Sequence, residues 1–187
     1  MQAILCGLLL AWSAVMPAVQ LAVETPTVVP GKKGMTWGVA TLPNPQPGLV
    51  LVSCHGQPRI GGAGCDAYEG DTLCSAALPV LCVSDDRWPL PPALEGATNF
   101  HRGWARGRVA LTPPVRGDAL TSPRQADAQC VAEFGAGWRM AEHHDGGGGW
   151  SYLAAGSLGT ASRFWVAIND TAGNCWGSAP SYRTKIH

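Results

Sequence analysis

The sequence predicts a small α+β protein with one main helix, short antiparallel strands and several disulfide bonds. Three observations lead to this prediction. Glycine and proline contribute 24 and 15 of the 187 residues, which favours short elements joined by turns. A single segment beyond residue 121 combines helix-capping residues with an apolar stripe. Six cysteines lie between residues 54 and 175, and an even set of this kind is typical of a disulfide framework.

The N-terminal 22 residues are predicted to form a signal peptide. No charged residue occurs between Ala3 and Val23, the run 4–12 is apolar, and small residues that suit cleavage follow at Ala14, Ala18 and Ala22. No basic residue precedes the apolar run, as a signal peptide would ordinarily have. A retained membrane anchor is the alternative, because about 20 apolar residues can span a bilayer. We therefore expect a secreted, periplasmic or cell-surface protein without a stable membrane span after cleavage.

The remaining chain is predicted to divide at residue 48. Residues 23–48 contain five prolines and indicate an extended leader with a strand near 35–40, whereas residues 49–187 form a single disulfide-linked globular domain. The net charge is zero, which gives no electrostatic basis for binding nucleic acid or an anionic membrane.

Cleavage of the signal peptide removes Cys6 and leaves the six cysteines for disulfide bonds, namely Cys54, Cys65, Cys74, Cys82, Cys130 and Cys175. The chain has no pair of cysteines with two residues between them, which argues against a structural zinc site. Short-range loop closure favours the bonds Cys65–Cys74, Cys54–Cys82 and Cys130–Cys175, although other pairings stay open.

The helix is predicted from its capping residues. Ser122 suits the N-cap, Pro123 the first helical position and Gln125 the third. A stripe at Ala126, Cys130 and Phe134 then directs Cys130 inward, and glycines at 135 and 137 end the helix.

Strands are predicted at short apolar runs, namely 49–52, 79–83, 108–112, 138–141 and 164–168. In the last of these, Phe164, Val166 and Ile168 share one face, while Trp165 and Ala167 share the other. Apolar residues on both faces indicate a central strand that is covered on both sides.

The C-terminal motifs follow a recognisable order. The helix with Cys130 leads to Phe134-Gly135-Ala136-Gly137-Trp138-Arg139-Met140-Ala141, then to a Trp-containing strand that ends in Asn169-Asp170, and then to Asn174-Cys175-Trp176. This order resembles the C-type lectin-like fold, and it is similar to that of secreted bacterial proteins with the same type of ending. The resemblance covers residues 126–176 and implies the scaffold alone. Neither of the triplets Glu-Pro-Asn and Gln-Pro-Asp, which mark the family's calcium-dependent sugar site, occurs in this chain.

Two polar clusters are candidates for metal binding. In the run Glu142-His143-His144-Asp145, an extended backbone would place His143 and Asp145 on one face, and His55 or His101 would complete a zinc site. The competing interpretation is a solvated strand end before a flexible glycine loop at 146–149. The acidic loop 66–71 offers oxygens to calcium, but turn formation explains its Asp and Gly residues equally well. We expect no cofactor, with zinc and calcium as the alternatives.

Aromatic and basic residues mark a candidate ligand-binding surface. Trp104 and Trp150 are flanked by glycine and polar residues, which favours exposed rings that stack on sugars or partner proteins. Arg102 and Arg106 lie close to Trp104 in a basic segment that also holds Phe100, His101 and Arg108. Such a patch suits anions or acidic glycans. The candidate ligand-binding residues are therefore Arg102, Trp104, Arg106 and Trp150.

Two common enzyme motifs are absent from the sequence. Neither a Gly-x-Ser-x-Gly nucleophile elbow nor a His-Glu-x-x-His helix occurs. The sequence therefore favours a secreted or cell-surface binding module for a glycan or protein ligand. The first alternative is a self-associating structural component of the cell envelope or of an extracellular assembly, and a more distant one is a metal-dependent hydrolase.

Overall fold

The computed structural model describes residues 31–42, 46–58 and 64–177, so the predicted signal peptide lies outside the described residues. Within these ranges the chain forms one α-helix, α1 (Pro123–Phe134), and eleven strands. The strands are β1 (Lys33–Gly34), β2 (Thr36–Ala40), β3 (Leu49–Ser53), β4 (Thr72–Leu73), β5 (Ala77–Leu78), β6 (Leu81–Ser84), β7 (Gly103–Leu111), β8 (Val115–Arg116), β9 (Trp138–Met140), β10 (Ser151–Ala155) and β11 (Phe164–Trp165). No helix in this part of the chain has the length and apolar character needed to cross a bilayer. The prediction of a small disulfide-rich α+β fold is confirmed.

Seven of the strands form one sheet in the order β11-β2-β3-β10-β7-β6-β9. All its neighbours are antiparallel except β10 and β7, which run parallel. Two further pairs, β1 with β4 and β5 with β8, form separate two-stranded ribbons.

The sheet curls until its two ends meet. Ala167, just after β11, accepts a hydrogen bond from the backbone N–H of His143 and donates its own to the carbonyl of Ala141, both at 2.9 Å. On the same side, the N–H of Trp165 donates to the carbonyl of Pro79 at 2.8 Å. We call this junction of residues 141–143 with residues 165–167 the seam.

The predicted helix is confirmed in its bounds and its caps. The Ser122 hydroxyl accepts the backbone N–H of Gln125 at 3.1 Å, and Pro123 occupies the first turn. Gly135 has φ 91°, a backbone conformation that favours glycine and ends the helix. Ala126 and Cys130 are fully buried, so this face of α1 packs against the sheet.

The globular domain begins before the predicted boundary at residue 49. The strand expected inside the leader is present as β2, and it pairs with β3 on one side and β11 on the other. Trp37 is fully buried in the main core. An extended leader over residues 23–48 is therefore wrong for the part that includes β2.

The disulfide pairing also differs from the prediction. The bonds are Cys54–Cys65, Cys74–Cys175 and Cys82–Cys130, and none of the three predicted pairs is formed. Cys130 faces inward as expected, but the residue opposite it is Cys82 of β6 rather than Cys175. Short-range closure failed as a guide because two of the bonds join elements that are distant in sequence but adjacent in the sheet.

The strand predictions were correct where apolar runs are continuous. The predicted strands at 49–52, 79–83, 108–112 and 138–141 overlap β3, β6, β7 and β9. The run 164–168 forms only the two-residue β11, at one end of the strand order rather than at its centre. Phe164, Trp165 and Val166 are nevertheless buried, because the sheet closes over this segment.

Candidate binding cleft

A cleft of about 310 Å³ lies beside the seam, and we call it the seam cleft. Its walls come from the first turns of α1, from β9, from the turn that follows β9 and from the chain beyond β11. The lining residues are Pro123, Asp127, Arg139, Met140, Glu142, Asp145, Ala167, Ile168, Asn169 and Trp176. A cleft of this size is within the range of small-ligand sites.

The charged wall of the cleft is built around Asp145. Arg139 donates from both terminal nitrogens to the two oxygens of this carboxylate, at 3.1 and 2.5 Å. The backbone N–H of Glu142 donates to the same carboxylate at 2.7 Å. This fork holds the turn after β9 in one position and fixes the guanidinium at the cleft wall.

Glu142 forms the adjacent part of the wall. Its carboxylate accepts the backbone N–H of His144 at 2.8 Å and lies 3.0 Å from the Nδ1 of the same residue. It also accepts the backbone N–H of Asn169 at 3.2 Å, which ties the turn to the chain after β11. Burial raises the pKa of the Glu142 carboxyl, although the contacts with His144 oppose this shift.

Asp127 and Trp176 face the cleft from other elements. The Oδ1 of Asp127 accepts the backbone N–H of Met140 at 3.0 Å, which joins α1 to β9. The Nε1 of Trp176 is buried and has no hydrogen-bond partner among the described residues. Together with Met140, Ala167 and Ile168, the Trp176 ring gives the cleft an apolar surface beside its carboxylates.

His143 is buried next to the seam, at 5% exposure. Its ring packs edge-on against Trp37 and Trp150, with centroids 5.4 and 5.3 Å apart, and its Nδ1 has no hydrogen-bond partner among the described residues. Burial and the neighbouring His144 lower the pKa of His143 to about 4, while Asp170 opposes the shift. The ring is therefore neutral at pH 7.

This lowered pKa predicts a pH-dependent stability. The folded state binds a proton at His143 less tightly than the unfolded state does. The stability that neutral His143 contributes is therefore complete above about pH 6.5 and is lost as the pH falls towards 4. We expect the free energy of unfolding to fall by about 3 kcal/mol across this window from His143 alone. Urea unfolding of the wild type and of His143→Gln between pH 4 and 7 measures the difference in slope.

The matched control for this measurement is His101→Gln, which changes an exposed histidine. It should leave the free energy of unfolding at pH 7 close to that of the wild type. Parallel slopes for the wild type and for His143→Gln would show that His143 has an ordinary pKa.

The structure separates the basic and aromatic residues that the sequence grouped into one patch. Trp104 is 8% exposed, and its Nε1 donates to the carbonyl of Trp88 at 3.1 Å, so the prediction of an exposed ring is wrong. Arg102 donates its Nε to the carbonyl of Ala97 at 2.9 Å. Arg108 instead pairs with Asp86 at 2.9 Å. Arg106 is exposed and lines a cavity together with Trp104.

Trp150 is half-buried rather than a free surface ring. It stacks on His55, with centroids 5.7 Å apart, and meets the edge of His143 on another side. The preceding glycine run is packed as well, since Gly148 and Gly149 are buried. A Cβ added at Gly148 would lie 1.9 Å from the carbonyl oxygen of Phe100, so glycine allows close backbone approach here.

The residues proposed as metal ligands have other partners. Asp145 is bound by Arg139, and Trp150 lies between His143 and His55. In the acidic loop, Asp66 accepts the backbone N–H groups of Tyr68 and Glu69, as in a turn. Within residues 31–42, 46–58 and 64–177, no three His, Cys, Asp or Glu side chains are grouped so as to hold a metal ion.

Sequence reasoning identified Asp145 but missed most of the seam cleft. Asp127 is one of several polar residues on α1, and Trp176 was noted only within the C-terminal motif. Their proximity depends on closure of the sheet, which no local pattern encodes. A usable signal was the position of Asp127 one residue after the buried Ala126, since this places it at the border of the buried face.

Comparisons with known proteins identified no relatives. No protein-family model matches the chain, and neither the curated proteins nor the solved structures contain a match to it. A functional assignment therefore depends on the geometry of the cleft.

Proposed function

We propose that this chain is an extracellular binding module with a lectin-like scaffold that holds a neutral sugar in the seam cleft. The observation that carries the proposal is the combination, in one cleft, of fixed carboxylates, a fixed guanidinium and an apolar surface that includes Trp176. Sugar hydroxyls pair with carboxylates and guanidinium groups, while the C–H faces of the ring pack on an aromatic side chain.

The charge of the cleft favours a neutral sugar over an acidic one. Three carboxylates, those of Asp127, Glu142 and Asp145, line the cleft beside the single guanidinium of Arg139. Because Arg139 and Asp145 neutralise each other, a ligand meets a surplus of negative charge. An anionic group at this position would be repelled.

The surroundings of the cleft also suit a binding site. Asp145, Glu142 and Asp127 are held by hydrogen bonds from the backbone or from Arg139, so little ordering is needed when a ligand enters.

Disulfide bonds are compatible with an extracellular location. The cysteine-bearing helix and the Trp-containing strand of the lectin-like resemblance both lie next to the cleft.

A glycan array probed with the wild type, Asp127→Asn and Trp176→Ala tests this proposal. The amide introduced by Asp127→Asn retains an oxygen for the N–H of Met140 but removes the charge, so folding should be preserved. We expect the wild type to bind neutral glycans and both variants to bind at least about tenfold more weakly, equivalent to a loss of about 1.4 kcal/mol.

Asp85→Asn is the matched control, because Asp85 is an exposed carboxylate that pairs with Arg87 outside the cleft. It should bind as the wild type does. Wild-type protein that binds no neutral glycan, or cleft variants that bind as well as Asp85→Asn, would overturn the proposal.

A further inference from the structure

A second cavity, of about 270 Å³, lies beside β7 and differs from the seam cleft in its charge. It is lined by Leu90, Thr98, Asn99, Gly103, Trp104, Arg106 and Gly146. None of these lining residues is acidic, and Arg106 is the one that carries a charge. Among the described residues, the Arg106 side chain has no hydrogen bond or ion pair that would neutralise it.

An irregularity in β7 presents Arg106 to this cavity. Along the parallel pair with β10, Leu153 is opposite Trp104 but Ala155 is opposite Arg108, so the chain around Arg106 bulges out of the ladder. Arg106 has φ 60°, a conformation that disfavours a side chain. The backbone is held there by the N–H of Trp88, which donates to the carbonyl of Arg106 at 2.7 Å.

Asn99 adds a neutral donor to the same cavity. Its Oδ1 accepts the backbone N–H groups of His101 and Arg102, at 2.9 and 3.0 Å. Since the amide oxygen is used in this turn, the Nδ2 group is the part of the side chain left to donate to a ligand. Thr98 supplies a hydroxyl beside it.

Trp104 contributes a small, fixed apolar surface next to these donors, since it is 8% exposed. The bond from its Nε1 to the carbonyl of Trp88 holds the indole in place. A guanidinium and an amide donor beside a small apolar surface suit a ligand that carries a negative group.

We propose that this cavity binds an anionic sugar, with the carboxylate or sulfate group paired to Arg106 and the sugar in contact with the small exposed part of Trp104. The site is separate from the seam cleft and does not depend on the function proposed there. Guanidinium groups form forked hydrogen bonds with carboxylates and with sulfate, so both kinds of acidic sugar share the required chemistry.

Titration calorimetry at low salt tests the proposal with three disaccharides, one containing glucuronic acid, one sulfated and one neutral. The wild type should bind at least one of the two anionic sugars, and which of them it binds identifies the acidic group. Arg106→Gly removes the guanidinium at a position where glycine relieves the backbone, so the variant should fold. We expect it to bind the anionic sugar at least tenfold more weakly.

Asn99→Asp gives a second test, because the aspartate keeps the oxygen that accepts the turn N–H groups while it places a negative charge in the cavity. It should abolish binding of the anionic sugar. Arg124→Gln on the exposed side of α1 is the control for loss of one positive charge. It should bind the anionic sugar as the wild type does.

Three results would overturn the proposal. The first is wild-type protein that binds neither anionic sugar. The second is a folded Arg106→Gly variant with wild-type affinity. The third is an equal loss of affinity in Arg124→Gln, which would indicate a diffuse effect of net charge.

Discussion

Replacement of Arg163 by methionine is expected to lower the free energy of unfolding by about 3 to 5 kcal/mol, because it removes a buried cation that serves several acceptors. Arg163 is only 2% exposed. Its Nε donates to the Thr36 hydroxyl at 2.8 Å, and its terminal nitrogens donate to the carbonyls of Cys54 and Gly56, each at 3.0 Å.

Most of this loss of stability comes from the buried acceptors that would be left without a donor. The carbonyls of Cys54 and Gly56 would lose their donor inside the protein, and each unsatisfied buried group costs about 1 to 3 kcal/mol. Asp71 accepts the backbone N–H of Thr36 at 2.9 Å and would lose the nearby positive charge of Arg163, which compensates its own negative charge.

Urea unfolding at pH 7 measures the change. Arg163→Lys should recover only part of the stability, since an ammonium group keeps the charge but lacks the planar set of donors. Arg124→Met, on the exposed side of α1, should be close to the wild type. A loss below about 1 kcal/mol for Arg163→Met would show that the acceptors find other donors or water.

Removal of the Cys74–Cys175 bond is the second large effect, with an expected loss of about 4 to 5 kcal/mol. The two cysteines are 101 positions apart, so the bond excludes many conformations of the unfolded chain. The double variant Cys74→Ala with Cys175→Ala avoids a free thiol and can be compared with the wild type by urea unfolding.

The Cys54–Cys65 pair is the matched control, because its cysteines are only 11 positions apart. The corresponding double alanine variant should lose about 3 kcal/mol, since a shorter loop constrains the unfolded chain less. Equal losses for the two variants would contradict the loop-length argument. Peptide mapping without reduction checks the pairing itself.

The helix was predictable from sequence because its determinants are local. Ser122, Pro123 and Gly135 define its ends through contacts within a few residues of each other. Most strands were predictable for a similar reason, since runs such as Leu49–Val52 are apolar and β-branched. The short strands β1, β4, β5 and β8 were missed, and so was the longer β10. Strand β10 has the sequence Ser-Tyr-Leu-Ala-Ala, without a β-branched residue, and it follows a glycine run.

The features that failed all depend on non-local contacts. Trp104 was predicted to be exposed because it lies among glycine and polar residues, yet Gly103 allows close contact with the glycine turn that precedes β10. A Cβ added at Gly103 would lie 1.7 Å from the carbonyl oxygen of Gly146. Cysteine partners and the seam cleft likewise require knowledge of which strands become neighbours. Arg163 gave no local signal, because a single arginine before an apolar strand is ordinarily at the surface.

Closure of the sheet by its last strand imposes an order on assembly during synthesis. Strand β2 can pair with β3 as soon as residues 36–53 have been made, and Cys54 can meet Cys65 soon afterwards. The other side of β2 must wait for β11, and Cys74 must wait for Cys175. During that interval a bond between the neighbouring Cys65 and Cys74 would be a kinetic trap. A Cys54–Cys65 bond that formed first would remove this wrong partner and leave Cys74 for Cys175.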